Sequence, residues 1–143
     1  MAPVRRLIAL DSDDLAVISA HVQDAHVTTA DILWRPGERR VVIGMRRHDW
    51  DQTLNGHAEP QRLIAALRFE RVLACKARGF DFTDRTAGHH LLGIEFYPSA
   101  EPAGCALLIF ADGALRLDLE CVECELADLG ADEVTGDEDS AAS

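Results

Sequence analysis

The chain has 143 residues, 48% of them apolar, and a formal net charge of −11. This length and apolar content support one domain with its own hydrophobic core, without help from a metal or a disulfide. No apolar run approaches the roughly 20 residues that cross a bilayer. The excess of acidic groups also disfavours nucleic acids and anionic membranes as partners.

The charge is unevenly distributed along the chain. Residues 35–85 carry eleven basic and seven acidic groups, whereas residues 86–143 carry one arginine against thirteen acidic groups. The middle segment therefore predicts a local basic surface on an acidic protein. Aspartates interrupt the apolar stretch after Leu10, so the opening residues do not have the pattern of a secretory signal. We therefore expect a cytoplasmic protein with reduced cysteines.

The first part of the chain predicts a helix and then a β-hairpin. An N-cap at Ser12 precedes apolar residues that are spaced for a helix over about 13–25. From Val27 the apolar residues alternate with polar ones, with a proline- and glycine-containing turn at residues 35–38. This pattern indicates two antiparallel strands on either side of the turn.

The middle of the chain predicts further strands. Residues 63–78 have the composition of a strand, and a change of phase near Arg71 indicates a bulge or a bend between two strands. A strand over residues 90–97 follows. Residues 105–121 then form the clearest hairpin of the sequence, with Asp112-Gly113 at its turn.

The last part of the chain predicts a short helix and an acidic tail. Apolar residues between 122 and 129 are spaced as one face of a helix that ends at Gly130. Residues 131–143 are acids and small residues without an aromatic, which predicts disorder. We therefore expect an α+β domain over residues 1–130: an N-terminal helix, six or seven antiparallel meander strands forming a curled sheet or barrel, and the closing helix. A pleckstrin-homology-like barrel is the favoured topology.

The four cysteines raise the hypothesis of a metal site. Cys121 and Cys124 have the spacing of half a zinc site, and Cys75 with Cys105 would complete it. A two-residue hairpin loop places Gly104 opposite Cys121, whereas a three-residue loop places Cys105 there, so the register decides whether thiols meet. The alternative is that all four are small buried apolar residues, and we favour it, with no metal or other cofactor.

Histidines and carboxylates raise a second alternative, a small metal-dependent or acid–base enzyme. The residues concerned are His48, Asp49, His57, His89 and Glu95. A histidine beside a carboxylate can act as a general base or as a metal ligand. Adjacent strand residues point to opposite faces, so such a site needs at least three of these groups to converge. No phosphate-binding loop or serine-nucleophile motif occurs, and we favour a protein without catalytic residues.

The basic residues of the middle segment predict a binding surface. We expect an arginine-rich sheet face that binds an acidic ligand or a protein partner. The predicted contact residues are Arg46, Arg47, Trp50, Arg68, Arg71 and Arg78. Two alternatives stay open: a solvated face whose charges pair internally, and a homodimer that forms through the edges of the 32–47 hairpin.

Six stretches of the sequence form a recognisable set: residues 7–20, Asp49-Trp50, residues 69–73, Arg78-Gly79, residues 94–96 and residues 119–130. Together they resemble a bacterial family of short acidic proteins that share a domain of unknown function, over about residues 4–130. The resemblance implies a cytosolic protein of alphaproteobacterial type. It brings no catalytic residue and no assigned activity.

Overall fold

The computed structural model describes residues 5–49 and 62–131. Within them, ten β-strands form one sheet that is accompanied by one α-helix and two short 3-10 helices. The elements in chain order are β1 (Arg6–Ala9), α1 (Ser12–His21), β2 (Ala25–Thr28), a 3-10 helix (Thr29–Asp31), β3 (Ile32–Arg35), a second 3-10 helix (Pro36–Glu38), β4 (Arg40–His48), β5 (Arg62–Phe69), β6 (Val72–Arg78), β7 (Gly88–Pro98), β8 (Gly104–Phe110), β9 (Gly113–Leu119) and β10 (Cys124–Ala131).

The sheet is antiparallel and curls on itself. Its order is β1-β10-β5-β4-β2-β7-β8-β9-β6, and β3 pairs with β4 off this path. Only Glu70 and Arg71 connect β5, third in this order, to β6, which is last. Because so short a link joins distant positions, the two ends of the sheet must approach one another. At this corner the Val72 N–H donates to the Arg39 carbonyl at 2.9 Å, but the strands do not close into a barrel.

The inner face of the curled sheet holds one continuous hydrophobic core. Alternate residues of each strand point into it, as Val41, Ile43 and Met45 do from β4 and Leu67 and Phe69 from β5. This is the period of two that a strand with one buried face requires. The residues between them form the outer face of the sheet, where polar groups can meet solvent.

Helix α1 covers part of this core. The Asp11 carboxylate caps its first turn by accepting from the backbone N–H three residues later at 2.8 Å. Leu15 and Ile18 are fully buried, and each contributes roughly 1.5–3 kcal/mol by its burial. The Ser19 hydroxyl accepts from the Ile94 N–H at 2.8 Å, next to an irregularity in the pairing of β7 with β8. A second hydrogen bond runs from Arg47 Nη1 of β4 to the carbonyl of His21, the last residue of the helix, at 3.5 Å, so the helix is fixed to the sheet by packing and by hydrogen bonds to two strands.

A buried ion pair lies among these apolar side chains. Arg47 of β4 is completely buried, and Asp128 of β10 is 4% exposed. The Arg47 guanidinium donates from Nε to Oδ1 at 2.8 Å and from Nη2 to Oδ2 at 2.7 Å. Its Nη1 donates to the His48 carbonyl at 2.9 Å. This bidentate pair connects β4 to β10 across the intervening β5.

The predicted fold class is wrong. The protein is mainly β, with ten strands in non-sequential order rather than six or seven in a meander, and without a barrel. The predicted closing helix is the strand β10. Cys124 and Leu126 point inward from this strand, and the next inward residue is the charged Asp128, which conceals the alternation. The apolar residues that remain happen to fit helical spacing.

Other expectations from the sequence are confirmed. The predicted N-terminal helix is α1, although it ends at His21 because β2 begins at Ala25. The first hairpin, the break near Arg71 and the strand around residues 90–97 are all present. These elements share strong local signals, either a turn with fixed backbone preferences or an uninterrupted alternation.

The second predicted hairpin is present as β8 and β9, but in neither of the two expected registers. Its turn is Ala111-Asp112, so Phe110 pairs with Gly113. Cys105 therefore lies opposite Asp118, and Leu119 lies opposite Gly104. The register does not bring Cys105 to Cys121.

Some predictions lie at or beyond the limits of the described residues. Ala131 still belongs to β10, whereas residues 132–143 of the predicted tail lie outside. The polar composition of residues 48–61, with Asn55-Gly56 and Pro60, also predicts a loop; His48 belongs to β4, and residues 50–61 lie outside the described residues. The predicted domain boundary at residue 130 stays a prediction. No helix within the described part of the chain is both long and apolar enough to cross a membrane.

We expect Asp128→Ala to lower the free energy of unfolding by about 3–5 kcal/mol, because it leaves Arg47 buried without its counter-charge. Urea unfolding followed by far-UV circular dichroism measures this loss. Glu125→Ala is the matched control: Glu125 points outward from the same strand, forms only surface ion pairs with Arg6 and Arg68, and should cost at most about 1 kcal/mol.

The double variant Arg47→Met/Asp128→Leu should recover much of the lost stability, because two apolar side chains replace the pair without burying a charge. A loss for Asp128→Ala no larger than that for Glu125→Ala would contradict a structural role for the pair.

Candidate functional site

A row of basic side chains crosses the outer face of the sheet. Arg46 of β4 pairs in register with His26 of β2, which pairs in turn with His90 of β7. All three residues are exposed. Arg62, the first residue of β5, is also exposed and pairs in register with His48. The pairing thus gathers two arginines and several imidazoles onto one end of the outer face.

A pocket of about 320 Å³ lies beside this row. Two small residues that pair in register, Gly44 and Ala66, line it. Asp31, from the first 3-10 helix, packs over Gly44, where an added Cβ would lie 3.3 Å from the Asp31 Cβ. The other side chains lining the pocket include His26, Thr28, Arg46, Ile64 and Leu129. The pocket therefore combines a small apolar floor with a basic border.

The His26 ring lies close to the backbone of β7 because its diagonal neighbour there, which pairs in register with Thr28, is a glycine. A Cβ added at Gly88 would lie 2.5 Å from the His26 Cε1, so any larger residue there would displace the ring. Burial lowers the pKa of His26 below its ordinary value of 6.5. The positive charges of Arg46 and Arg62 lower this pKa further. The His26 imidazole therefore loses its proton more readily than an ordinary histidine.

The other end of the outer face is neutralised by acidic residues. Arg68 Nε lies 3.0 Å from the Glu70 carboxylate, in ion-pair contact though outside hydrogen-bond geometry, and its Nη2 lies 3.4 Å from Glu125. Arg40 also contacts Glu70, at 2.8 Å. Surface pairs of this kind contribute little to stability, but they cancel one another's field. The arginines at this end therefore offer little charge to a ligand.

Two acids lie near the basic row in the part of the chain that the structure describes. Asp24 is hydrogen bonded to His90, with 2.8 Å between its Oδ1 and Nε2, and Asp31 borders the pocket. Arg62 forms no ion pair with any residue in the described part of the chain. Among the described residues, Arg62 is therefore a cation at this end of the outer face that no acid pairs with.

The predicted contact residues do not lie together. Arg46 is in the basic row, but Arg47, its neighbour along the strand, is in the core. Arg71 is exposed at the β5–β6 corner, 3.9 Å from Glu123. Arg78 is exposed at the end of β6, on the far edge of the sheet. Trp50 lies outside the described residues.

Sequence reasoning missed His26 and His90. They are 64 residues apart, and they meet because β2 inserts between β4 and β7 in the sheet order. A weak signal was present, since His26 stands between Ala25 and Val27, which are both buried. A polar residue between two buried positions of a strand indicates an outward side chain.

The residues proposed for an enzyme are separated. His26 and His90 face outward, so His89 points to the inner face, whereas His48 shares the outward phase of Arg46. Glu95 is engaged by the Tyr97 hydroxyl at 2.6 Å, and this bond and the carboxylate charge raise the pKa of the Tyr97 phenol. Asp49 is buried. His57 lies outside the described residues.

His89 does form a chain of hydrogen bonds. Its Nε2 is 2.6 Å from the Thr29 hydroxyl, and its Nδ1 is 2.9 Å from Asp112 Oδ2. A hydroxyl, an imidazole and a carboxylate in this order resemble a nucleophilic triad. However, Thr29 is only 3% exposed, so a substrate cannot reach its hydroxyl. The chain of bonds instead connects β7 to the β8–β9 turn.

The cysteines do not converge on a metal site. Cys124 is buried in the core, and burial raises the pKa of its thiol, which disfavours the thiolate that zinc requires. Cys121 is half-buried near the N-terminus of α1. Among residues 5–49 and 62–131, no group of three histidine, cysteine or acidic side chains is placed to hold a metal ion.

These features define a class: a mainly antiparallel β protein whose curled sheet carries a basic pocket on its outer face. Residues 5–140 match the model of a family described as a protein of unknown function (DUF2948). The chain belongs to this family, which confirms the predicted membership in a family described as of unknown function. The bacterial origin, of alphaproteobacterial type, stays a prediction. No curated protein matches the chain. No solved structure matches it either.

We predict that His26 titrates below its ordinary pKa of 6.5 and that Arg62→Gln raises this pKa, because the substitution removes one nearby positive charge. A titration of the His26 Cε1 proton by NMR measures both values. Arg6→Gln, which removes a cation from the distant strand β1, should leave the His26 pKa unchanged.

The same shift has a consequence for stability. Because the folded pKa is the lower one, the unfolded chain binds the proton first as the pH falls below about 6.5. The free energy of unfolding is therefore higher above this pH. It falls as the pH decreases from about 6.5 through the lower pKa that His26 has in the folded protein. His26→Gln should reduce the loss on acidification, and a His26 pKa at or above 6.5 would contradict the assignment.

Proposed function

We propose that this protein is a non-enzymatic binding module that holds an acidic ligand in the pocket on the outer face. The observation that carries the proposal is the position of the pocket, which opens beside Arg46 and His26 at the end of the outer face that also carries the exposed Arg62. A cation next to a concave apolar surface is the combination that a small anion with an apolar body requires.

The lining of the pocket defines the chemistry of this ligand. Ile64 and Leu129 offer apolar contact, while Gly44 and Ala66 leave room between them. Arg46 provides a planar donor for a carboxylate or a phosphate, and a protonated His26 provides another. Asp31 at the border disfavours a ligand with a second anionic group on that side. A single acidic group attached to a small apolar body fits these constraints.

The net charge restricts the larger partners. At −11 the protein repels nucleic acids and anionic membranes at long range, so the basic row acts locally, on a ligand that is small enough to diffuse to it. The four cysteines are free thiols, which supports a cytoplasmic location. The proposal therefore concerns a small cytoplasmic anion.

Benzenesulfonate is a suitable probe because it joins one acidic group, which stays ionised with a single charge throughout the neutral and mildly acidic range, to one apolar ring. We expect it to bind and to shift the amide resonances around Gly44, Ala66 and His26 in a two-dimensional NMR titration, with tighter binding at pH 5.5 than at pH 7.5. The sign follows from His26, whose protonation adds a positive charge that the anion stabilises. Arg62→Glu should weaken binding by about tenfold or more.

Two controls distinguish binding in the pocket from a general electrostatic attraction of the anion to the protein. Arg6→Glu makes the same change in net charge on another part of the outer face and should leave the affinity within about twofold. Ala66→Leu fills the pocket without changing charge and should also abolish binding, whereas Ala20→Leu on the exposed side of α1 should not. Equal effects of Arg62→Glu and Arg6→Glu, or shifts away from these strands, would overturn the proposal.

A further inference from the structure

The curled sheet leaves a seam between two of its strands. Strand β3 pairs only with β4, and β6 pairs only with β9, so within residues 5–49 and 62–131 each has one edge that no strand covers. Residues of both strands line one cleft of about 310 Å³: Ile32, Trp34, Cys75, Ala77 and, from the loop after β6, Phe82. We call this cleft the seam.

The seam narrows toward one end. At that end the Val72 N–H donates to the Arg39 carbonyl at 2.9 Å, which joins the start of β6 to the turn after β3. At the other end the loop that carries Phe82 is anchored. Phe80 packs against His89 at a centroid distance of 4.5 Å and edge-on against Phe110 at 5.1 Å. The walls are therefore held in place around the cleft.

The lining of the seam belongs to the inner face of the sheet. Trp34 pairs in register with Val41, and Cys75 pairs with Leu117, and both of these partners are buried in the core. Burial raises the pKa of the Cys75 thiol, so the side chain stays neutral. Phe82 is 45% exposed. The seam thus presents core-type apolar surface to solvent, between two sets of unpaired backbone groups.

The rim of the seam is basic. Strands β3 and β6 together carry Arg35, Lys76 and Arg78, all exposed, and no acidic residue. The adjoining loop adds the carboxylates of Asp81 and Asp84, which stay charged, and the exposed Arg85, so the cations of the two strands and this loop still outnumber its acids. The rim therefore attracts negative charge, while the lining attracts apolar groups.

We propose that the seam binds an extended segment of a partner protein in which apolar and acidic side chains alternate. The backbone of such a segment pairs with an open strand edge, as peptides do when they add a strand to a sheet. Because successive side chains of a strand point to opposite faces, one set enters the cleft and the other meets the rim. The apolar set contacts Trp34 and Phe82, and the acidic set contacts Lys76 and Arg78.

This inference is independent of the pocket proposed above. The pocket lies on the outer face over Gly44, whereas the seam opens to the inner face between β3 and β6. Loss of one site leaves the lining of the other unchanged, so variants at each site serve as controls for the other.

The probe is the peptide Glu-Val-Glu-Phe-Glu-Val-Glu, acetylated and amidated, titrated into the full chain at low salt. We expect shifts of the Trp34 indole N–H and of the amides of residues 32–35 and 72–78, and slower hydrogen exchange at these amides. The peptide in which lysine replaces every glutamate should bind at least about tenfold more weakly, because its charges meet the basic rim.

Variants test the two components of the seam. Lys76→Glu/Arg78→Glu should weaken binding of the acidic peptide by at least about tenfold, whereas Arg6→Glu/Arg62→Glu makes the same change in net charge elsewhere and should leave it within about twofold. Ala77→Phe fills the cleft and should abolish binding. Circular dichroism confirms that each variant is folded.

Three results would overturn the proposal. Equal affinities for the acidic peptide and the lysine peptide would show that the basic rim has no role in binding. Resonance shifts confined to strands other than β3 and β6 would show that the peptide binds elsewhere. Protection of β3 and β6 that rises with protein concentration in the absence of peptide would assign the seam to a second copy of the chain.

Discussion

The rest of the structure depends on the ion pair between Arg47 and Asp128. Two charges inside a hydrophobic core are tolerated only when each meets the other in good geometry, and this pair does so with two short hydrogen bonds. Since strand side chains alternate, a slip of one residue in β4 or β10 would turn one of the two groups outward, and a slip of two would separate their charged ends. The pair therefore specifies how three strands align, and it does so more strictly than interchangeable apolar side chains would.

That alignment also positions the outer face. With Arg47 directed into the core, its neighbour Arg46 must point outward, where it lies beside His26. A shift of one residue in β4 would exchange the two arginines and remove the basic row together with its pocket. The interior of the protein thus determines the chemistry of its surface, although no residue of the pair contacts the proposed ligand.

The sequence predicted those parts of the fold that have local signals. The strand break near Arg71 was visible because the apolar phase changes within a few residues. Strand β10 was misread because its inward position 128 is a charged residue, which becomes acceptable in a core only through a partner 81 residues away. The predicted register of the second hairpin was wrong because the turn is formed by Ala111-Asp112, although Asp112-Gly113 has the stronger turn preference. For the candidate site, Arg46 was predicted but its neighbours His26 and His90 were not, because the sheet order that unites them is a property of the whole chain.

The position of β10 has a consequence for how the chain is made. This strand lies between β1 and β5, so Ala9, near the start of the described chain, pairs with Cys124 near its end. A ribosome releases the amino-terminal strands first, and at that stage β1 has no neighbour and Arg47 has no carboxylate. The domain therefore cannot be completed by stepwise addition during synthesis. Its final folding must wait until nearly all of its strands have left the ribosomal tunnel.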